Sequence, residues 1–286
     1  MYLPFEFISE YLHIAEKLEL SSQEDGFSAL RSLGLEDFGD VLWNMPSTDY
    51  PKLSAVLPKM TPEKITKQWT GATGRHLLEQ SVRFVRSCAE NFTRISGDTL
   101  ENKKILDFGC GYGRFLRLFS YYSNEIYGVD AWEVSLNHSR TAGFNKLKKV
   151  DAVCDKIPFD DKFDFLFAFS VFTHLSEEST IAALNALRKS ASYGAILAIT
   201  IRPIEFWKES AKGRTHLNPS LFNLETRLEE HRQKGFTFLQ DENVNHYGDT
   251  SITIEWINSK TSGWKIEGID RSLNDSLQRY VFLRAI

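Results

Sequence analysis

The segment KILDFGCGYGRF, residues 104–115, constrains the fold of this chain more than any other stretch. A short apolar run ends at Phe108, and Gly109, Gly111 and Gly113 follow it closely. Glycine adopts positive φ angles without strain, so the pattern predicts a strand that turns tightly and enters a helix. Such a turn lets the backbone approach a bound ligand closely.

Apolar runs and helical patterns alternate from this segment onward. The runs KILDF, EIYGVD, FDFLFAFS and GAILAITI are near-continuous, as expected of parallel strands buried on both faces. Amphipathic patterns lie between them, and Ser176 is predicted to be the N-cap of the third such helix. The alternation predicts an α/β fold with a doubly wound, mostly parallel sheet, and the runs WKIEGID and QRYVFLRAI close the chain as strands.

The residues before the glycine turn are predicted to be helical. We expect residues 1–98 to form a helical extension and residues 99–286 the α/β core, with an insertion at about 203–250 after the fifth strand. Apolar side chains recur at steps of four and three along the longest helix of the extension: Leu78, Val82, Val85, Ala89 and Phe92. Thr61 is predicted to cap an earlier helix, with Pro62 at its first position.

Composition and charge narrow the function classes. The chain has 286 residues, a net charge of −4, 42% hydrophobic residues and 25% charged residues. The negative charge argues against a nucleic-acid partner. Its 3 cysteines are widely spaced, which suggests neither a zinc site nor a disulfide framework and is consistent with a cytoplasmic protein. The longest apolar stretch is too short to span a bilayer, and the N-terminus does not resemble a signal peptide.

The glycine turn has three interpretations at this stage. It could be a tight turn without a ligand, or a nicotinamide site, which normally has a third glycine where this chain has Arg114. It could also bind S-adenosylmethionine. Asp107 precedes the first glycine, and Asp130 ends the next predicted strand, where a carboxylate can accept hydrogen bonds from both ribose hydroxyls. An acidic site tolerates a sulfonium cation better than a pyrophosphate, which favours the third interpretation.

Together, ILDFGCGYGRF, YGVD and DKIPFDDKFDFLFAFSVFTHL resemble class I S-adenosylmethionine-dependent methyltransferases. The resemblance runs from about Lys103 to the C-terminus. It implies a Rossmann-like sheet of seven strands whose last strand is antiparallel. It also implies S-adenosylmethionine as cofactor and S-adenosylhomocysteine as product.

The resemblance assigns roles to individual residues. Carried over by motif, the contacts to the methionine part are Asp107, Gly109 and Gly111. Asp130 would hold the ribose, with Ala131 and Trp132 beside the adenine. Asp155 is the adenine contact we select, although Asp151 and Cys154 remain alternatives. Phe169 and Ser170, at the end of the fourth strand, would border the sulfonium.

A hinge and a lid are predicted ahead of the first strand. In WTGATGR, Gly71 and Gly74 interrupt the helical pattern and would permit movement. Trp69 would then cover the cofactor, and Arg75 would pair with its carboxylate. The alternative is that Trp69 is core packing and Arg75 a solvated helix start.

The methyl acceptor is predicted to be a small molecule or a glycan, with a hydroxyl group as the nucleophile. FSVFTHL follows the fourth strand, where enzymes that methylate base amino groups carry Asn or Asp followed by Pro-Pro and an aromatic residue. Candidates for a catalytic base are His246, Tyr247 and His174, although His174 also suits a structural role. His216 is a further candidate by position, but it fits a surface loop unless the insertion folds inward. No metal is expected, since no histidine–carboxylate cluster has ligand spacing. A non-catalytic cofactor-binding module and a nicotinamide-dependent oxidoreductase remain alternatives, and the oligomeric state is open.

Overall fold

The computed structural model of the chain describes residues 5–286. Its main sheet has 7 strands in the order β3-β2-β1-β4-β5-β9-β8, and β6 and β7 form a separate 2-stranded sheet. The strands are β1 Ile105–Phe108, β2 Ile126–Asp130, β3 Leu147–Lys149, β4 Phe163–Ala168, β5 Ala191–Ile201, β6 Phe236–Gln240, β7 Gly248–Ile252, β8 Trp264–Ser272 and β9 Asp275–Ala285. The last strand, β9, is antiparallel to both β5 and β8. The predicted fold class is therefore confirmed.

Helices precede and connect these strands. They are α1 Ser9–Ala15, α2 Gln23–Leu30, α3 Leu35–Trp43, α4 Pro51–Val56, α5 Glu63–Thr70, α6 Gly74–Ser96, α7 Arg114–Phe119, α8 Glu133–Thr141, α9 Glu177–Ser190, α10 Glu205–Ala211, α11 Leu224–Lys234 and α12 Ile254–Lys260. A short 3-10 helix, Pro219–Leu221, lies between α10 and α11. The Ser176 hydroxyl accepts a hydrogen bond from the Ser179 amide, which confirms the predicted N-cap of α9.

The chain divides into two compact units. The first contains the residues up to Glu90 and Leu100–Lys149, and the second contains Asn91–Thr99 and Val150–Ile286. This division differs from the boundary at residue 98 that we predict from the sequence, because the N-terminal helices pack with α7 and its neighbours. The Arg31 guanidinium donates to the Ser120 carbonyl oxygen at 2.9 Å, and the Tyr121 hydroxyl donates to the Leu33 carbonyl at 3.0 Å.

The second unit has its own core and carries the insertion. β4 is almost fully buried, and Phe92 of α6 packs edge-on against Phe165 of β4 at a centroid distance of 5.8 Å. Between β5 and β8 the chain forms α10, α11, the β6–β7 pair and α12. The insertion buries Phe206, Trp207 and Leu217 together, which fixes it as a folded element rather than a loose loop.

Several local predictions were wrong or incomplete. Pro62, not Thr61, occupies the N-cap of α5, and no side chain caps that helix. Thr61 is buried instead. The segment Gly248–Ile252, at the end of the predicted insertion, is the fully buried strand β7. None of the helices within residues 5–286 is long and apolar enough to cross a membrane.

Candidate functional site

The glycine turn is fastened to the end of β2 by backbone hydrogen bonds. The amides of Gly109 and Cys110 both donate to the Val129 carbonyl oxygen, at 2.8 and 3.0 Å. The φ angles of Gly109, Gly111 and Gly113 are 83°, 56° and 79°, in the left-handed region that glycine adopts most easily. The turn then passes directly into α7, as the sequence predicts.

Two of these glycines are needed for different reasons. A Cβ on Gly113 would lie 3.1 Å from the Phe144 ring and from the Ser139 hydroxyl, so close packing requires the glycine there. A Cβ on Gly111 would meet nothing within 4 Å. Gly111 therefore borders open space, and its backbone can approach a ligand.

Asp130 holds the turn in place. Its Oδ2 atom accepts a hydrogen bond from the Gly111 amide at 2.9 Å, and its Oδ1 atom accepts one from the Trp132 amide at 2.8 Å. Burial raises the pKa of Asp130, and these amide hydrogen bonds oppose the rise. Each carboxylate oxygen can accept a further hydrogen bond, so the side chain can hold the turn and a ribose together.

Asp107 is a buried carboxylate that lacks a full set of hydrogen-bond donors. The residue is 1% exposed, and its Oδ2 atom has no hydrogen-bond partner among residues 5–286. Burial raises the pKa of Asp107 well above the usual value, the negative charge of Asp130 adds to the rise, and Arg114 opposes it. A buried anion of this kind is costly unless a cation or donor pairs with it, so the site suits a cationic ligand.

The carbonyl groups of the turn are also held by hydrogen bonds, from side chains that no sequence motif marks. The Ser139 hydroxyl donates to the Gly111 carbonyl at 2.9 Å. The fully buried Arg117 guanidinium donates to the carbonyls of Tyr112 and Gly113 at 2.9 and 2.7 Å, and to that of Lys59 at 2.7 Å. Burial lowers the pKa of Arg117 to about 10, so the side chain stays charged at neutral pH. The turn is therefore preorganised through both its amides and its carbonyls.

The predicted lid residues differ in their surroundings. The Trp69 ring lies 6.0 Å from the Tyr112 ring and 5.5 Å from that of His138, between centroids, so Trp69 packs next to the glycine turn. The Arg75 side chain is 62% exposed and forms an ion pair with Glu79 at 3.1 Å. Gly71 and Gly74 have φ angles of 74° and 54°, which glycine adopts without strain. The roles of Trp69 and Arg75 in cofactor binding stay predictions.

Two predicted cofactor contacts belong to the second unit. Phe169 is buried and packs against Tyr280 at 6.4 Å between ring centroids. Ser170, directly after it, has a φ of 58°, rare for a residue with a side chain, and its amide donates to the Thr200 hydroxyl at 2.7 Å. This strained turn lies just beyond the carboxyl end of β4, the edge at which open α/β sheets bind ligands. Asp155 is exposed, and its adenine role stays a prediction.

His174 lies in a buried polar cluster, and both of its ring nitrogens are engaged. Its Nδ1 atom is 2.7 Å from the Gly248 carbonyl, which can only accept, so Nδ1 carries the proton. Nε2 then accepts from the Arg202 guanidinium at 3.1 Å. Burial lowers the pKa of His174 to about 3, and the positive charge of Arg202 acts in the same direction. This neutral imidazole has no lone pair left for a substrate proton, which suits the structural interpretation.

The same cluster contains an aspartate and a second histidine. Asp249 forms a buried ion pair with Arg202, and its Oδ1 atom is 3.0 Å from Nε2 of His216. Burial would raise the pKa of Asp249, but the hydrogen bond from His216 and the charge of Arg202 lower it below its usual value. The His216 side chain is 57% exposed. Sequence patterns could not reveal this group, since its members are far apart in the chain.

The other two predicted catalytic residues lie beside this cluster. The Tyr247 ring stacks on the His174 ring with a centroid distance of 5.0 Å and an interplanar angle of 9°. His246 has a φ of 61°, and its Nδ1 atom is 3.7 Å from a carboxylate oxygen of the exposed Glu178. Their catalytic roles stay predictions. The described part of the chain contains no group of His, Cys, Asp or Glu side chains arranged to hold a metal ion.

Comparison with known proteins identifies the class. Residues 106–199, which run from β1 to β5, match the family described as a methyltransferase domain. With the strand order and the turn geometry, the match defines a class I methyltransferase domain. Residues 106–199 therefore form a methyltransferase domain, and S-adenosylmethionine is the cofactor that a domain of this class indicates. This result favours the methyltransferase interpretation of the turn over the nicotinamide one.

Solved structures share the fold at low sequence identity. An S-adenosylmethionine-dependent methyltransferase from Clostridium acetobutylicum is 11% identical, with a TM-score of 0.50 over 78% of this chain and 96% of that one. Streptomyces venezuelae DesVI is 13% identical, with a TM-score of 0.50 over 80% of this chain and 100% of that one. Both likenesses concern the fold alone. No protein with a curated function matches the sequence.

Proposed function

We propose that the protein transfers the methyl group of S-adenosylmethionine to a hydroxyl group of a small molecule or glycan. The assignment of the cofactor rests mainly on the buried Oδ2 atom of Asp107, which has no hydrogen-bond partner in the described chain. The cofactor supplies an electrophilic methyl group on a sulfonium centre and a protonated amino group. An unpaired buried carboxylate next to an open, preorganised turn fits such a cation.

The residues of the first unit have separable tasks in this proposal. Asp107 binds the amino group of the cofactor, and Gly111 presents backbone without a side chain in the way. Asp130 holds the turn and accepts hydrogen bonds from the ribose hydroxyls. Trp69 covers the turn from the Tyr112 side, and Arg75 pairs with the cofactor carboxylate after breaking its ion pair with Glu79.

Support for a hydroxyl acceptor comes from the second unit. The polar groups of this unit include the buried Arg202–Asp249 ion pair and the exposed His216 imidazole, so a site there can accept a proton from a neutral nucleophile. Phe169 and Ser170 border the sulfonium in this proposal. The net charge of −4 and the absence of the base-methylation motif after the fourth strand favour a small molecule or glycan over a nucleic acid.

Two measurements test the proposal. Isothermal titration calorimetry with S-adenosylhomocysteine tests the cofactor site directly. Radiolabelled S-adenosylmethionine is then offered with catechol, a sugar nucleotide, benzylamine, benzoate and transfer RNA, and the methylated products are separated. Transfer to catechol or the sugar nucleotide supports the proposal. Transfer confined to benzylamine, benzoate or transfer RNA contradicts the acceptor assignment, and S-adenosylhomocysteine binding without any transfer would indicate a non-catalytic module.

A further inference from the structure

We infer that His216 is the general base of this enzyme and that Asp249 is the residue that positions it. The inference rests on the proposed transfer to a hydroxyl group. It begins with the hydrogen bond of 3.0 Å between His216 Nε2 and Asp249 Oδ1. A carboxylate can only accept, so Nε2 of a neutral His216 carries the proton and Nδ1 carries the lone pair.

The surroundings of Asp249 keep it in the form that this task requires. Its side chain is 12% exposed and is paired with the Arg202 guanidinium, whose side chain is 8% exposed. Arg202 is itself fixed by the Thr173 carbonyl at 2.9 Å and by Nε2 of His174 at 3.1 Å. Asp249 is therefore a rigid anion that favours one tautomer of His216 and stabilises the imidazolium that proton uptake creates.

His216 is better placed for proton uptake than the other two histidines near it. Both nitrogens of His174 are already engaged. The carboxylate near His246 lies 3.7 Å away on Glu178, whose side chain is 70% exposed, so solvent screens that pair. His216 alone among these three combines a buried anionic partner with an exposed ring.

The cluster is connected to the residues that follow β4 and β5 in the second unit. Thr173 links it to Ser170, because their hydroxyl oxygens are 3.3 Å apart and the Thr173 carbonyl accepts from Arg202. Thr173 follows the carboxyl end of β4, and Arg202 follows that of β5. The side chains of this cluster thus extend from the predicted sulfonium border to His216.

The chemical step balances with groups already named. A lone pair of the acceptor hydroxyl oxygen forms the new bond to the methyl carbon as the carbon–sulfur bond breaks and its electron pair stays on sulfur. The hydroxyl proton passes to Nδ1 of His216. The resulting imidazolium, paired with Asp249, loses the proton to water through its exposed ring.

Nuclear magnetic resonance of the enzyme alone, labelled with ¹⁵N-histidine, tests the first half of the inference. Long-range proton–nitrogen correlations report which ring nitrogen carries the proton, and the His216 signals are those lost in His216→Gln. We expect the Nε2-protonated tautomer in the wild type and a loss of that preference in Asp249→Asn. An Nδ1-protonated ring in the wild type overturns the inference whatever the acceptor is.

Turnover of the hydroxyl acceptor from the panel tests the second half. His216→Gln is expected to lower kcat by roughly 10²-fold or more, with the dissociation constant for S-adenosylhomocysteine unchanged. Added imidazole should restore part of kcat in His216→Gly. The exposed His76 provides the matched control, and His76→Gln should have wild-type kcat. A His216→Gln variant with wild-type kcat overturns the inference. If the wild-type protein does not bind S-adenosylhomocysteine, that result refutes the proposed function instead.

Discussion

The Gly111 amide donates a hydrogen bond to Oδ2 of Asp130 at 2.9 Å, so the aspartate predicted to hold the ribose also holds the glycine turn. Its second oxygen is engaged by the Trp132 amide at 2.8 Å. One side chain therefore joins the ends of β1 and β2 within the first unit. Changes at this position affect the shape of the site as well as its contacts with the cofactor.

Asp130→Ala should weaken binding of S-adenosylhomocysteine by about 1–3 kcal/mol, because it removes charged hydrogen bonds. It should also lower the melting temperature, since the amides of Gly111 and Trp132 lose their acceptor. Calorimetry and thermal denaturation measure the two effects. Glu133→Ala is the control, because Glu133 lies nearby and its side chain is 49% exposed. Unchanged affinity in Asp130→Ala would remove Asp130 from the ribose site.

Two glycine substitutions should separate binding from folding. Gly111→Ala places a methyl group in open space at a φ of 56°, so we expect a loss of about 1 kcal/mol in stability and at least about tenfold weaker cofactor binding. Gly128→Ala places a Cβ 2.8 Å from Leu147 Cδ2 and 2.9 Å from Cys110 Sγ. Overpacking of this kind should cost about 1–3 kcal/mol of unfolding free energy. Equal affinity in Gly111→Ala and the wild type would place the cofactor elsewhere.

Arg117→Met should weaken cofactor binding without touching the cofactor. Methionine has a similar length but leaves the carbonyls of Tyr112, Gly113 and Lys59 without the donors that Arg117 provides. We expect a stability loss on the order of 2 kcal/mol and weaker binding from a less ordered turn. Arg140→Met is the control, because Arg140 forms only exposed polar contacts and should contribute less than about 1 kcal/mol. Wild-type affinity in a folded Arg117→Met protein would show that the carbonyls need no such anchor.

The lid proposal predicts different effects for substitutions at Arg75 and Trp69. Arg75→Ala should raise the dissociation constant for S-adenosylmethionine and leave the melting temperature of the free protein unchanged, because the Arg75–Glu79 pair is exposed. Trp69→Leu should affect both quantities, since Trp69 packs on Tyr112 and His138. Hydrogen exchange should slow across residues 60–80 when ligand binds. Normal binding by Arg75→Ala, or no added protection in that segment, refutes the lid.

Periodic and locally encoded features could be predicted from the sequence. The apolar runs at Ile105–Phe108 and Phe163–Ala168 form strands because near-continuous burial leaves few alternatives. The Ser176 cap and the glycine turn follow from chemistry within a few residues. Features that depend on distant partners could not be predicted. The strand Gly248–Ile252 contains polar residues that are buried through contacts with remote elements, such as the Thr173 carbonyl.

The residues of the candidate site fall into the same two groups, those that a local motif marks and those that the fold brings together. Asp107, Gly111 and Asp130 follow from motif spacing. In the sequence, Arg117 cannot be distinguished from an ordinary basic residue of a helix. Its role in holding the turn is visible only in the structure, where it is fully buried and donates to three carbonyls. Asp249 and His216 are brought together by the fold of the insertion, and no local pattern marks them.

The buried Asp107 carboxylate should measurably lower the folding stability of the ligand-free protein. Because its pKa in the folded state is raised above the ordinary 3.8, the folded protein binds this proton more tightly than the unfolded chain does. The corresponding stability is fully present below the unfolded-state pKa and is lost as the pH rises through the folded-state pKa. Asp107→Asn should therefore raise the melting temperature of the ligand-free protein at neutral pH while it weakens cofactor binding.

The most direct test of the account is the dissociation constant of S-adenosylhomocysteine, measured by calorimetry from about pH 5 to 8 for the wild type and Asp107→Asn. Its protonated amino group requires the carboxylate form of Asp107, so wild-type affinity should increase as the pH rises and this residue ionises. Asp107→Asn should bind at least about tenfold more weakly and without that pH dependence, since a charged hydrogen bond is lost. Equal affinity and the same pH profile in both proteins would contradict the assignment of the cofactor to this turn.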